Sequence, residues 1–328
     1  MGCSRKREMS LSMVVVVLLV LFQLLLANGQ GLPPECTFSP EPPCPPTPTG
    51  LGHIVLVHGA GQGQWYWYKV KPILEAAGYN VTTVQLGPSV TLALDSIENV
   101  TFWNYSQPLF DIMECIDHKV LLVGHSAGGL SIAVAMEMYP QKIHGGVFVA
   151  AYMPDTTHPV SYVLDMGEQY EQDWEDTCIK TSGLNETWYY FGVQFLSDRL
   201  YQMCPPEDIE LMYTQRRPGS FFNNELAGVQ LTNEGYGSID RYYIVTGDDL
   251  ATYPEFQLQM IANYPVKEVK TTERSGHEVM LSKPLELSAY ILDIARQYPS
   301  YSANDAKDTA WVEMRAKLNS IRRGAWWA

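Results

Sequence analysis

Apolar residues in this chain arrive in short unbroken runs, separated by stretches in which they recur at helical spacing. The first run, His53-Ile54-Val55-Leu56-Val57, ends at His58-Gly59-Ala60-Gly61 and reads as a strand buried on both faces. Helical spacing follows over residues 65–77 and stops at Gly78; residues 81–86 form the next strand. The rhythm continues with a helix over 102–116, a strand over 119–124, a helix over 126–138 and a strand over 146–151. Such alternation predicts a mostly parallel sheet with helices on both faces. Between residues 153 and 235 the pattern breaks. That stretch is richer in Trp, Tyr, Glu and Pro and has no clean strand alternation, so it reads as an inserted, mainly helical cap. The α/β rhythm then resumes, with strands over 241–246 and 266–271 and helices over 254–263 and 281–298. The core therefore comprises residues 52–152 and 236–300, and no internal repeat is visible.

Both ends of the chain depart from this pattern. Arg5, Lys6 and Arg7 precede an apolar run over 13–26, broken only by Gln23, and then Ala27-Asn28-Gly29. A basic start, an apolar run too short for a full span and a small-x-small site are the anatomy of a secretory signal peptide, here residues 1–29. An uncleaved signal anchor is the alternative. Residues 30–51 are crowded with proline and read as a linker. Residues 301–328 read as an amphipathic C-terminal extension ending in Arg322-Arg323-Gly324-Ala325-Trp326-Trp327.

Composition adds two constraints. With 46% hydrophobic residues the chain has ample material for a large core. Its formal charge of −14 argues against nucleic acid or an anionic membrane surface as a partner. Membrane contact is left to an uncleaved N-terminal segment or the C-terminal tail. Secretion agrees with four N-x-S/T sequons, at Asn80, Asn99, Asn104 and Asn185, each open to glycosylation, although Asn80 opens a predicted strand. Loss of the signal peptide leaves Cys36, Cys44, Cys115, Cys178 and Cys204. The odd count leaves at least one thiol unpaired. Cys36–Cys44 and Cys178–Cys204 are candidate pairs, Cys115 reads as a buried thiol on an apolar helix face, and no spacing matches a zinc site.

The chemistry centres on Gly124-His125-Ser126-Ala127-Gly128-Gly129, a G-x-S-x-G pattern that follows an apolar strand and opens a helix. That placement forces a sharp turn which lifts the Ser126 hydroxyl clear of the sheet. A serine needs a base. Among seven histidines, His277 sits late in the chain on a strand-to-helix loop, after Asp248 and Asp249, in the order Ser…Asp…His. Either aspartate of that pair is placed to orient the imidazole. The oxyanion hole needs two backbone N–H donors, and Ala127 after the nucleophile and Ala60 in the glycine turn are the candidates.

These residues belong to a wider set. His58-Gly59-Ala60, Trp65-Tyr66-Trp67-Tyr68-Lys69, Leu74-Glu75-Ala76-Ala77-Gly78, the Ser126 motif, Met153-Pro154-Asp155-Thr156, Leu200-Tyr201-Gln202-Met203-Cys204 and Pro254-Glu255-Phe256-Gln257 occur in this order. In them the chain resembles the plant methylesterase and hydroxynitrile lyase family of α/β-hydrolases, from about His53 to Tyr298. The resemblance implies the α/β-hydrolase fold, Asp249 as the triad acid and Trp174 on the cap over the pocket. It also exposes departures. The lyases of the family carry Thr and Lys where this chain has Gly59 and Glu278, which favours ester hydrolysis over cyanide release. The esterases usually carry an apolar residue at Glu278 and Cys-His at Gly61-Gln62. If Glu278 faces the pocket it disfavours anionic products and raises the pKa of His277.

The sequence thus predicts a secreted serine carboxylesterase acting on small esters, methyl esters among the candidates, through Ser126, His277 and Asp249 and an acyl-enzyme, with no cofactor and no metal. The substrate pocket includes Gly59, Trp174 and Glu278. A hydroxynitrile lyase on the same scaffold and a ligand receptor with little turnover are the alternatives. Oligomeric state is left open, with a homodimer among the possibilities.

Overall fold

The computed structural model describes residue 45 and residues 50–87, 99–170 and 173–299. The expected signal peptide, most of the proline-rich linker and the C-terminal extension lie outside the described residues. Among the described residues no helix is long and apolar enough to cross a membrane.

Six parallel strands form the central sheet in the order β2-β1-β3-β4-β8-β9. They are β1 (His53–Val57), β2 (Asn80–Val84), β3 (Val120–His125), β4 (Ile143–Val149), β8 (Asp240–Thr246) and β9 (Glu268–Thr272). Alternate side chains of the inner strands enter opposite layers. Ile54 and Leu56 pack with Leu121, Val123, Val147 and Val149 on one face, while Val55 and Val57 pack with Leu122 and Phe148 on the other. This two-sided burial is why the inner strands read as unbroken apolar runs. The edge strand β9 keeps an alternating burial pattern instead.

Helices α1 (Val70–Ala76) and α9 (Pro284–Ala295) cover the first face; α2 (Phe102–Cys115), α3 (Gly128–Met138) and α7 (Pro254–Asn263) cover the second. Thr101 caps α2 by accepting from the Asn104 N–H at 3.0 Å. Helix α3 is buried from Gly128 to Met136, because its sequence is apolar all round and sheet and neighbours enclose it. The helix expected over 281–298 is divided at Lys283 and Pro284 into α8 (Val279–Ser282) and α9.

The inserted segment is not without strands. It carries α4 (Tyr162–Gly167), a helical stretch at Val193–Phe195 that widens into a π-turn at Leu196–Leu200, α5 (Pro206–Gln215) and α6 (Asn223–Leu226). Among them a three-stranded antiparallel sheet forms from β5 (Cys178–Thr181), β6 (Thr187–Tyr190) and β7 (Gly219–Ser220). The expectation of no strand alternation fails there. The aromatic residues of Thr187-Trp188-Tyr189-Tyr190 favour a pleated surface, and Asn185 turns the hairpin at φ 60°.

The cysteine expectations also need correction. Cys115 is exposed, not buried, and is disulfide-bonded. Cys178 and Cys204 are free thiols and do not pair. Cys36 and Cys44 lie outside the described residues. Of the sequon asparagines, Asn99, Asn104 and Asn185 are exposed, whereas Asn80 is half-buried where β2 begins beside His53.

Candidate active site

Strand β3 ends at His125 and α3 begins at Gly128, which leaves Ser126 on the turn between them. Ser126 has φ 52°, a left-handed conformation that a residue with a Cβ adopts only when its surroundings hold it there. Three backbone hydrogen bonds do so. The Ser126 N–H donates to Val149 O at 3.2 Å, and Ser126 O accepts from Gly129 N at 3.0 Å and Tyr152 N at 3.1 Å. Close approach does the rest. A Cβ on Gly59 would stand 2.8 Å from the Ser126 Cβ, and one on Gly128 2.5 Å from His58 O. Glycine at both positions lets the turn press against the loop after β1.

His277 lies on the loop between β9 and α8, 2% exposed. Its Nδ1–H donates to Asp249 Oδ2 at 2.8 Å, which leaves Nε2 as the unprotonated nitrogen of the neutral ring. Of the two aspartates left open by the residue pattern, Asp248 is exposed and Asp249 is buried. Asp249 is held from several directions. Oδ1 accepts from the N–H groups of Ala251 and Thr252, each at 2.8 Å, and Oδ2 accepts from the Thr246 hydroxyl at 2.8 Å. Gln257 braces that hydroxyl at 3.0 Å and the Thr252 carbonyl at 2.6 Å, while its own carbonyl accepts from Thr246 N at 3.1 Å. Burial alone would lower the His277 pKa, but the charges of Asp249 and Glu278 and the Asp249 hydrogen bond more than offset it, and the pKa is raised above 6.5.

Two further histidines hold the frame. His58 donates from Nδ1 to Gly59 O at 2.8 Å and accepts the Leu86 N–H on Nε2 at 3.0 Å, so its tautomer is set and it ties the glycine loop to β2. Burial lowers its pKa to about 4. His125 donates from Nε2 to His277 O at 3.1 Å, anchoring the backbone of the other histidine. Burial, followed by the neighbouring His277, holds His125 neutral. Ala60, expected as an oxyanion donor, is buried in the glycine loop and lines the same cavity as Ser126. Ala127 occupies the N-cap of α3, where helical geometry leaves amides without partners in the ladder.

Ser126, His277, Gly59, Ala60, Trp174 and Glu278 all line one cavity of about 40 Å³. A chamber of about 380 Å³ adjoins it and shares the walls Tyr152, Trp174, Phe221 and Ala251. Trp174 is held in the cap by stacking on Tyr189 and Phe195, with ring centroids 4.6 and 5.3 Å apart. Glu278 is 1% exposed, and neither carboxylate oxygen has a hydrogen-bond partner. The Tyr66 hydroxyl lies alongside and favours the charged carboxylate. Burial pushes the Glu278 pKa up to about 7, against the pull of His277 and Tyr66.

Sequence reasoning passed over the supports. Thr246 and Gln257 carry no motif of their own, although Gln257 closes the Pro254-Glu255-Phe256-Gln257 segment. Gln62 drew notice only as a departure from the esterase pattern. It lines the cavity, 3% exposed, with both amide atoms unpartnered.

Comparison with known proteins finds relatives over the same part of the chain. A profile of the alpha/beta hydrolase family matches residues 54–289. The chain is 44% identical over 242 residues to salicylic acid-binding protein 2 of Nicotiana tabacum, covering 70% of this chain and 92% of that protein. It is also 44% identical over 239 residues to methylesterase 3 of Arabidopsis thaliana, covering 70% of this chain and 90% of the relative. Among solved structures it resembles polyneuridine aldehyde esterase, with TM-score 0.70 and 39% identity over 75% of this chain and 99% of that one.

Proposed function

The chain belongs to the alpha/beta hydrolase family, in its methylesterase-like group, and from that premise we propose that it cleaves small carboxylic esters through Ser126, His277 and Asp249. The observation that carries the reading is the buried His277 Nδ1–H bond to Asp249 in the cavity that Ser126 lines at φ 52°. Ester hydrolysis agrees with the names of the methylesterase and esterase relatives.

Ser126 attacks the ester carbonyl while His277 Nε2 takes its proton. Asp249 keeps the ring in this tautomer and stabilises the imidazolium. The amides of Ala60 and Ala127 receive the oxyanion, aided by the N-terminus of α3. Collapse of the tetrahedral intermediate breaks the ester C–O bond, and His277 hands the proton to the departing alcohol. Water, deprotonated by His277, then attacks the acyl-enzyme and releases the acid. The 380 Å³ chamber takes the larger part of the substrate, and methyl esters of small acids are the proposed class.

Cyanohydrin cleavage is not favoured. The acidic Glu278 stands where the lyases use lysine, and a side chain at Gly59 would collide with Ser126. A panel of methyl and aryl esters, assayed with the wild type and with Ser126→Ala, tests the proposal; hydrolysis that survives the substitution refutes it.

Secretion and N-glycosylation are proposed from the N-terminal segment and the exposed Asn99, Asn104 and Asn185. N-terminal sequencing of protein made in a plant cell, with a glycosidase mobility shift, tests both. A retained Met1 with no shift contradicts them.

A further inference from the structure

Most polar side chains around Ser126 have partners, but two in the cavity do not. Glu278 presents two buried carboxylate oxygens that the Tyr66 hydroxyl alone approaches as a donor, and Gln62 a buried carboxamide with no partner on either end. Two histidines stand by Glu278: His125, whose Nε2 is 3.9 Å from Oε2 and already donates to His277 O, and His277, which has a ring nitrogen within 4.8 Å and is already held by Asp249. His125 is neutral, and among the described residues no Lys or Arg pairs with Glu278. A buried carboxylate short of donors costs folding free energy, which a ligand that brings donors and positive charge would offset.

The surroundings narrow the ligand. Tyr66, Trp174, Phe191 and Phe195 line the same cavity, so its walls favour an apolar body or a cation over a ring face. An anion would meet the Glu278 charge, and an aliphatic group would leave both polar side chains unsatisfied. A hydroxyl brings a single donor. A protonated amine brings positive charge and up to three donors, to be shared between the Glu278 carboxylate and the Gln62 carbonyl. The small cavity volume suits an ammonium group rather than a bulky cation.

We propose that Glu278 and Gln62 form an ammonium-binding subsite beside Ser126, which selects esters carrying a protonated amine close to the scissile carbonyl. The proposal rests on the esterase reading and names its substrate class. Glu278 and Gln62 are specificity-determining residues here; the bond-breaking steps remain with Ser126 and His277.

Three methyl esters of one skeleton test it: methyl 3-amino-3-phenylpropanoate, methyl 3-phenylbutanoate and the 1-methyl ester of 3-phenylsuccinic acid. They place an ammonium, a methyl and a carboxylate on the same carbon. The readouts are the ratios of kcat/KM in the wild type and the ratios of Kd in Ser126→Ala. The expected order is ammonium over methyl over carboxylate, with the first step about 10- to 100-fold. Glu278→Gln should bring that step to within about threefold, since the charge pair is its source. Glu278→Met and Gln62→Leu supply independent variants should the first not fold; Glu278→Met should collapse the step as well, and Gln62→Leu should reduce it. Equal ratios for the three esters in the wild type, or an ammonium preference that survives loss of the Glu278 charge, would overturn the subsite. If no ester is hydrolysed but the Kd order holds in Ser126→Ala, the subsite stands and the esterase reading falls.

Discussion

Two buried carboxylates flank His277, and their surroundings differ in kind. Asp249 accepts from two backbone N–H groups, the Thr246 hydroxyl and the imidazole itself. Glu278, the next residue along the chain from His277, has only the Tyr66 hydroxyl beside it. The first is a carboxylate whose charge the fold has already compensated, so it is fixed in place and serves the histidine. The second is buried at the fold's expense in a cavity that the unpartnered Gln62 also lines. Burial is the same on both sides. The number of donors separates a group that builds the site from one that waits for a ligand.

Breaking the satisfied side should have the largest effect. Asp249→Asn can no longer hold the Nδ1–H tautomer, and kcat is expected to fall by about 10⁴-fold. A steady-state assay on a reactive aryl ester measures this, and a loss under tenfold would mean that the carboxylate is not what orients His277. The support behind Asp249 should matter less. Gln257→Leu removes the bonds that brace Thr246 and Thr252, and a drop of about 10- to 100-fold in kcat with little change in KM is expected for a positioning residue. A change confined to KM would contradict that role.

The unsatisfied side should respond with the opposite sign in stability. Glu278→Met replaces an unpartnered buried carboxylate with an apolar side chain, and thermal unfolding should show a gain of about 1–3 kcal/mol at pH 8. The pH dependence follows from the raised pKa. The folded protein binds the Glu278 proton more tightly than the unfolded chain, whose pKa is 4.5, so Glu278 contributes best when protonated. Its contribution to stability falls as pH rises from about 4.5 towards about 7, and the advantage of Glu278→Met should grow across that window. An advantage that shrinks with rising pH would mean that Glu278 has a partner in solution. The smallest effect expected is on the acid limb of kcat/KM. His277 must be neutral to act as a base, and its raised pKa places the limb above 6.5. Glu278→Gln removes one of the two raising charges and should move the limb to lower pH, whereas no movement would separate Glu278 from His277 electrostatically.

The same contrast explains what could be read along the chain. Inner strands such as β1 and β3 are buried on both faces, so their residues carry the apolar signal unmixed. Ser126 and His277 were legible because a strand, a sharp turn and a helix leave a pattern of glycines and a chain order. The choice of Asp249 over Asp248 needed resemblance, because adjacent residues on a loop have no period to sort them. The β5–β6 hairpin was missed because β5 is largely exposed and offers no alternation. Gln257 and Gln62 were beyond reach for a further reason. Whether a polar side chain is satisfied depends on groups distant in sequence, as with the Asp249 that orients His277 from 28 residues away.

The central claim is that Ser126 is a nucleophile activated by His277. Incubation with an aryl fluorophosphonate, followed by peptide mass spectrometry, tests it most directly. A single adduct is expected on the peptide containing Ser126, formed rapidly by the wild type and at a rate reduced by at least about 10³-fold in His277→Ala. An adduct on another residue, or equal labelling of Ser126 without His277, would contradict it.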